Sequence, residues 1–143
     1  MCCLSVEAKD FLSECFLCSS PVPSSSVNRP HTHPHLAELL FLLGGSLEVG
    51  FVDMTNKIFM QTLQAGDLFV FPKGLVHYQC NGDSKNFAIA VSAFVSANAG
   101  TVSVPSSIFT NGIDDGILAK SFKTDVCEIH SGNQGWPGTQ ALR

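Results

Sequence analysis

The fold is decided by the stretch His31-Thr32-His33-Pro34-His35-Leu36-Ala37-Glu38, which stands directly before a run of apolar residues. Alternate side chains of an extended strand point to the same face, so His31 and His33 are expected to converge. Pro34 lacks a backbone donor and biases His33 toward an extended conformation. A bend after Pro34 would let Glu38 begin the next strand facing the same cavity. Imidazoles combined with a carboxylate are a typical ligand set for a transition metal.

A second segment, residues 66–81, adds one more histidine at a matching place. Strand-like residues follow Gly66 and run into the turn Pro72-Lys73-Gly74, where the glycine can adopt a positive φ. The next strand-like segment carries His77 and ends at Asn81. The sequence therefore predicts two adjacent strands, with His77 available to the same cavity.

Together the two segments match a pair of motifs. The first, H-x-H-x4-E-x6-G, is met by His31, His33, Glu38 and Gly45. The second, G-x5-P-x-G-x2-H-x3-N, is met by Gly66, Pro72, Gly74, His77 and Asn81. On these residues the sequence resembles the germin and germin-like proteins of plants, within the cupin superfamily. The resemblance covers roughly residues 29–126, and it departs from the family at Ser25, where a glycine usually opens the first motif.

The resemblance implies a manganese ion held by four ligands, which are His31, His33, Glu38 and His77. The residues alone agree in part, because neutral imidazoles and one carboxylate give a site that leaves octahedral positions open for water or substrate. The absence of cysteine from the set argues against structural zinc. Ligand type does not choose among Mn, Fe, Zn and Ni, so manganese rests on the family.

Other residues near the motifs have simpler interpretations. His35 lies in the bend and is expected to be exposed to solvent. Gln79 shares a strand face with His77, and either a hydrogen bond near the metal or ordinary packing fits that position. The motif glycines are expected to serve turns, and the phenylalanines of this region to fill the core.

Short apolar segments recur between turns, without intervening helices, from residue 39 to residue 104. Residues 46–52 alternate strictly, with Leu47, Val49 and Phe51 on one face, which is typical of a half-buried strand. Many short strands separated by turns predict an all-β protein, a cupin jelly-roll β-barrel. A short helical segment is expected near the C-terminus, with Asp114 or Asp115 as its N-cap.

Three regions are predicted along the chain. Residues 1–29 contain a Ser/Pro stretch and are expected to form a disordered leader, residues 30–126 the cupin domain, and residues 127–143 an irregular tail. Family members carry a signal peptide and further strands before the first motif. The resemblance therefore implies a barrel that is incomplete at its N-terminal edge, as in a truncated family member.

Composition excludes several classes of function. The chain has 143 residues, which suits one domain, and its net charge is −4 with eight scattered basic residues. Nucleic acid and acidic membrane surfaces are therefore not expected as partners. No segment is long and apolar enough for a membrane span, and no secretory signal is recognised. The six cysteines suggest no disulfide framework. The pair Cys15 and Cys18 fits half a zinc site or a redox pair, but free thiols are the preferred interpretation because no second pair follows at zinc-finger spacing.

The family implies an extracellular protein of the apoplast or cell wall, assembled as a hexamer built from three dimers and linked to defence. It also implies manganese-dependent superoxide dismutase activity. Oxalate oxidation is not expected, because it uses asparagine side chains from strands ahead of the first motif. The alternatives are a non-enzymatic storage, matrix or receptor-like protein, including auxin-binding relatives, or a truncated chain without function.

Overall fold

The computed structural model describes residues 2–6, 15–95 and 99–129 of the chain. These residues divide into two units, 1–102 and 103–143. The elements of the first unit are strands, namely β1 (Cys2–Val6), β2 (Cys15–Val22), β3 (Ser26–Thr32), β4 (Glu38–Gly44), β5 (Ser46–Val52), β6 (Ile58–Gln64), β7 (Leu68–Phe71), β8 (His77–Asn81), β9 (Ala88–Phe94) and β10 (Val102–Ser103), which crosses into the second unit.

The strands form two sheets. One has the order β1-β2-β9-β4-β7 and the other the order β10-β3-β8-β5-β6. Strand β9 pairs with β2 and β4, and β8 pairs with β3 and β5, all in antiparallel orientation. Strands that are consecutive in the chain, such as β4 and β5, belong to different sheets. This arrangement is a jelly roll, so the predicted all-β fold class is confirmed.

The core lies between the two sheets and follows the period-two pattern of the sequence. In β4, Leu40 and Leu42 are buried while Leu39 and Leu43 are exposed. The buried residues contributed by the other strands are Leu47, Val49, Leu63, Phe71, Ala88 and Ala90. Glu38 stands two positions before Leu40 on the same face of β4, so the alternation that builds the core also turns this carboxylate inward.

Gly45 makes the crossing from β4 to β5 possible. Its φ is +82°, and a Cβ at this position would lie 2.9 Å from both Ala88 Cα and Phe87 O. A side chain would therefore meet backbone atoms that cannot move without displacing the start of β9. This requirement explains the glycine that closes the first motif.

The structure differs from the leader predicted for residues 1–29. Residues 15–22 form β2, which pairs with β9, and β3 begins at Ser26 after a short turn in which Ser25 has a φ of +51°. The Ser/Pro stretch thus contains the end of β2, the turn at residues 23–25 and the start of β3, and it connects strands of the two sheets. Composition missed this because the partner of β2 lies some seventy residues further along the chain. Residues 1 and 7–14, and the side chains of Cys15 and Cys18, lie outside the described part.

In the part of the second unit that the structure describes, the helices are α1 (Val104–Phe109) and α2 (Asp115–Phe122), and residues 126–129 are also helical. The Asp114 side chain accepts hydrogen bonds from the amides of Gly116 and Ile117, so the predicted N-cap and helical segment are confirmed. Helix α1 was not predicted. The small core of the second unit consists of Leu118, Ala119 and Ile129, against which Ile108 and Phe109 of α1 pack. Of the tail that was predicted to be irregular, residues 127–129 are helical, and the rest, from residue 130 onward, lies outside the described residues.

Within the described ranges, no helix has the length and apolar character that crossing a membrane would require.

Candidate metal centre

Four side chains converge at one end of the barrel because of strand register. His31, near the end of β3, stands opposite His77, the first residue of β8. Glu38 is the first residue of β4, in the other sheet. His33 follows β3 directly, and its carbonyl accepts hydrogen bonds from the amides of Leu36 (3.3 Å) and Gly74 (3.1 Å). These bonds hold the bend after Pro34 and join it to the Pro72–Gly74 turn, so the two motifs meet.

The converging side chains are buried, with 5, 5, 3 and 1% of their surface exposed for His31, His33, Glu38 and His77. One donor atom from each lies within 4.8 Å of the others. Glu38 Oε2 is 3.1 Å from His33 Nε2 and 3.2 Å from His77 Nε2. The residues that the sequence singled out as ligands are therefore brought together in one pocket.

Backbone carbonyls fix the orientation of two of the rings. His31 Nδ1 lies 2.7 Å from Arg29 O, and His77 Nδ1 lies 2.8 Å from Leu75 O. A carbonyl oxygen can only accept, so each Nδ1 carries a proton and each Nε2 is left facing the pocket. His33 Nδ1 instead contacts the Thr101 hydroxyl at 3.2 Å, and this group can either donate or accept.

The donor set fits a divalent cation. His77 Nε2 and the Glu38 carboxylate oxygen, both electron-rich atoms, lie 3.2 Å apart. Two such atoms repel one another unless a proton or a cation stands between them. Proteins commonly hold transition metals with imidazole nitrogens and a carboxylate oxygen, and the other nitrogen of each ring then makes a hydrogen bond to the protein.

The pocket also controls the protonation of its groups. Burial by itself would raise the pKa of Glu38, but hydrogen bonds from His33, His77 and Ser92 outweigh it and lower the pKa to about 2. Burial lowers the pKa of His31 below its ordinary value, against the opposing effect of its hydrogen bond to Arg29 O. Both shifts favour the protonation states that metal ligands need, an ionised carboxylate and a neutral imidazole.

The Cupin family model matches residues 14–130 of the chain. Germin-like protein 9-3 from rice (Oryza sativa subsp. japonica) is 60% identical over 107 residues, covering 75% of this chain and 50% of the relative. Germin-like protein subfamily 2 member 4 from Arabidopsis thaliana is 44% identical over 105 residues, covering 72% of this chain and 48% of the relative. This chain belongs to the germin-like cupins.

Solved structures agree with this assignment. An oxalate oxidase structure superposes with a TM-score of 0.82 at 27% identity, over 88% of this chain and 65% of the other. The cupin match begins before and ends after the predicted domain of residues 30–126 and includes β2. The germin-like chain spans about half the length of the curated relatives it matches.

The second motif of this germin-like cupin contains an asparagine with a structural role. Asn81 is 1% exposed, and its Nδ2 donates to Val22 O (3.0 Å) and Asn86 O (2.9 Å). Its Oδ1 accepts from the amide of Asp83 at 3.0 Å. Asn81 therefore joins the end of β8 to β2 and to the approach to β9, and it does not line the metal centre.

The structure also shows where Gln79 and His35 lie, the two residues near the motifs that were given simpler interpretations. Gln79 is buried, and its Oε1 accepts a short hydrogen bond from Asn28 Nδ2 in the neighbouring strand. The side chain is therefore partnered within the sheet, which meets the packing interpretation left open above. His35 is exposed, as expected.

Three residues of the pocket were missed by the sequence interpretation. Ser92 donates to Glu38 Oε1, Thr101 contacts His33, and the Phe94 ring meets that of His33 edge-on at a centroid distance of 4.9 Å. Of these, Ser92 carries a signal, since it is a hydroxyl within the otherwise apolar strand β9. The other two depend on tertiary contacts that periodicity does not reveal.

Proposed function

We propose that this germin-like cupin binds one manganese ion through His31, His33, Glu38 and His77. The observation that carries the proposal is the convergence of these four buried side chains, with one possible ligand atom from each within 4.8 Å of the others. The donor set suits a borderline-hard divalent metal and does not single out manganese. Support for manganese comes from the family and from a fold neighbour, since the oxalate decarboxylase of Bacillus subtilis has Mn(II) centres.

We extend the proposal to superoxide dismutation. Bound manganese supplies a one-electron redox couple at a centre with open coordination positions. The protein fixes the ligand geometry, because the bonds from His31 and His77 to backbone carbonyls prevent these rings from turning. The Phe71 ring from the core stacks on His77 at a centroid distance of 4.4 Å and gives this imidazole an apolar neighbour.

A second candidate is a protein that holds the metal without turnover, as expected of a matrix, storage or receptor-like role. The burial of every ligand favours it, because a centre whose ligands are 5% exposed or less offers a reactant little access. Both candidates share the same metal ligands and differ only in whether superoxide is consumed. As the family implies, we place either one outside the cell, in the apoplast, as a hexamer.

The ligand assignment is tested by the metal content of purified, size-separated protein. We expect about one manganese ion per wild-type chain, and His77→Ala should lose it because the variant removes a ligand contributed by a separate strand. His35→Ala is the matched control, since it removes an exposed histidine from the same stretch. Wild-type stoichiometry in His77→Ala would refute the assignment.

The two candidates are separated by a superoxide-consumption assay on fully loaded protein. The dismutase proposal predicts consumption that disappears with the metal and in His77→Ala. Full loading without activity would support the binding role instead. Oxalate is offered in parallel, and we expect no turnover of it. The same size-separated sample gives the oligomeric state.

A further inference from the structure

Ser92 is placed by strand register against the carboxylate of Glu38. In the pairing of β9 with β4, Ser92 stands opposite Leu40, two positions along the strand from Glu38. Leu40 and Glu38 both face the core, so a side chain at position 92 that faces the same way reaches Glu38 diagonally. The Ser92 hydroxyl donates a short hydrogen bond to Glu38 Oε1.

The two oxygens of Glu38 therefore have different surroundings. Oε1 accepts the hydrogen bond from Ser92, which anchors the carboxylate on the side of β9. Oε2 lies 3.1 Å from His33 Nε2 and 3.2 Å from His77 Nε2, on the side where the imidazoles converge. One oxygen is held away from the pocket centre and the other is presented to it.

A carboxylate can bind a metal through one oxygen or through both. Binding through both would require Glu38 to rotate so that Oε1 leaves the hydroxyl of Ser92, and this half-buried hydroxyl would then lose its acceptor. We propose that Ser92 is a positioning residue that restricts Glu38 to binding through Oε2 alone. This inference rests on the metal-binding function proposed above, and it assigns Ser92 the role of keeping one coordination position open.

The inference is tested with the hydroxyl removed and restored. Ser92→Ala removes the donor, Ser92→Thr keeps it, and Ser46→Ala is the control because it removes a half-buried serine hydroxyl that bonds to Leu63 O instead. Three quantities are measured on each variant. They are Mn(II) affinity by chelator competition, the electron paramagnetic resonance spectrum of bound Mn(II), and water-proton relaxation per bound Mn(II), which reports exchangeable water on the metal.

We expect Ser92→Ala to bind Mn(II) about tenfold more weakly, because partners of metal ligands are worth this much or more. We also expect its inner-sphere water relaxation to fall to about half, because Oε1 takes one of the open octahedral positions. The electron paramagnetic resonance spectrum of Mn(II) bound to this variant should also differ from that of the wild type. Ser92→Thr and Ser46→Ala should match the wild type in all three measurements.

A fully loaded Ser92→Ala protein with wild-type relaxation and spectrum would overturn the role of Ser92, as would failure of Ser92→Thr to restore them. If Ser92→Ala does not fold, the same three measurements are compared between Ser92→Thr and Ser92→Val, because these side chains share a shape and differ by the hydroxyl. A wild-type chain that binds no Mn(II) refutes the proposed function, and this inference with it. A wild-type chain that binds Mn(II) while Ser92→Ala behaves identically refutes this inference alone.

Discussion

Replacing Asn81 by alanine should destabilise the barrel strongly without removing a metal ligand. The Asn81 side chain is fully buried and makes three hydrogen bonds to the backbone, at Val22, Asn86 and Asp83. A buried hydrogen bond contributes about 1 kcal/mol net, so losing all three predicts a loss of about 3 kcal/mol in the free energy of unfolding. That loss is a large part of the roughly 5–15 kcal/mol that stabilises a domain of this kind.

The measurement is urea denaturation of the metal-free protein with chelator present, analysed by midpoint and slope. Asn86→Ala is the matched control. It removes an exposed asparagine side chain whose bond to the Asp83 carboxylate lies at the surface, and it should change stability by less than about 0.5 kcal/mol. A loss below about 1 kcal/mol for Asn81→Ala, with an unchanged slope, would refute the claim that this side chain ties strands together.

Three further predictions follow from the structure. Gly50→Ala should lower the free energy of unfolding by about 1 kcal/mol, because the new Cβ would lie 2.8 Å from Tyr78 Cε1. In a Tyr78→Ala background the same substitution should lower it much less, which a double-mutant cycle measures. Equal losses in both backgrounds would contradict the contact. The urea midpoint of metal-free protein should fall as the pH drops below the ordinary histidine value of 6.5, because the pKa of His31 is lowered in the folded state and the unfolded chain takes up the proton first. Stability contributed by the ionised Glu38 is present above pH 4.5 and lost as the pH approaches about 2; a midpoint that stays level from pH 8 to 3 would refute both assignments. Asp114→Ala should destabilise the first turn of α2 by about 1 kcal/mol. The loss should be measured as faster hydrogen exchange of the first-turn amides, and unchanged exchange would show that the cap is not needed.

Local patterns predicted much of the first unit. The bounds of β5 match the alternating segment of residues 46–52, and β7 lies between Gly66 and the turn at Pro72, where strand-like residues were predicted. The inward turn of Glu38 followed from the bend after Pro34, because a change of strand resets the period of two. These features depend on residues close together in sequence, where propensity and periodicity carry the information.

Features that depend on distant pairing were not predicted. The partner of β2 is β9, so nothing within residues 15–22 distinguishes a strand from a linker. The contact of Ser92 with Glu38 requires the register of β9 against β4, and a shift by one residue would turn the hydroxyl out of the pocket. Helix α1 was missed for a local reason, since Val104 was taken as the end of a strand, although the Pro105 that follows it is well suited to the first turn of a helix.

The four converging side chains come from both sheets, with His31 and His77 in one and Glu38 in the other. An ion held by this set would bridge the two layers, so it could be held tightly only by chains in which the layers have docked in the correct register. The metal-to-protein ratio of a preparation would then measure the fraction of chains that are correctly closed. A preparation of mixed quality could be sorted by metal content before any assay of activity, and slow loss of the ion would report the rate at which the layers separate.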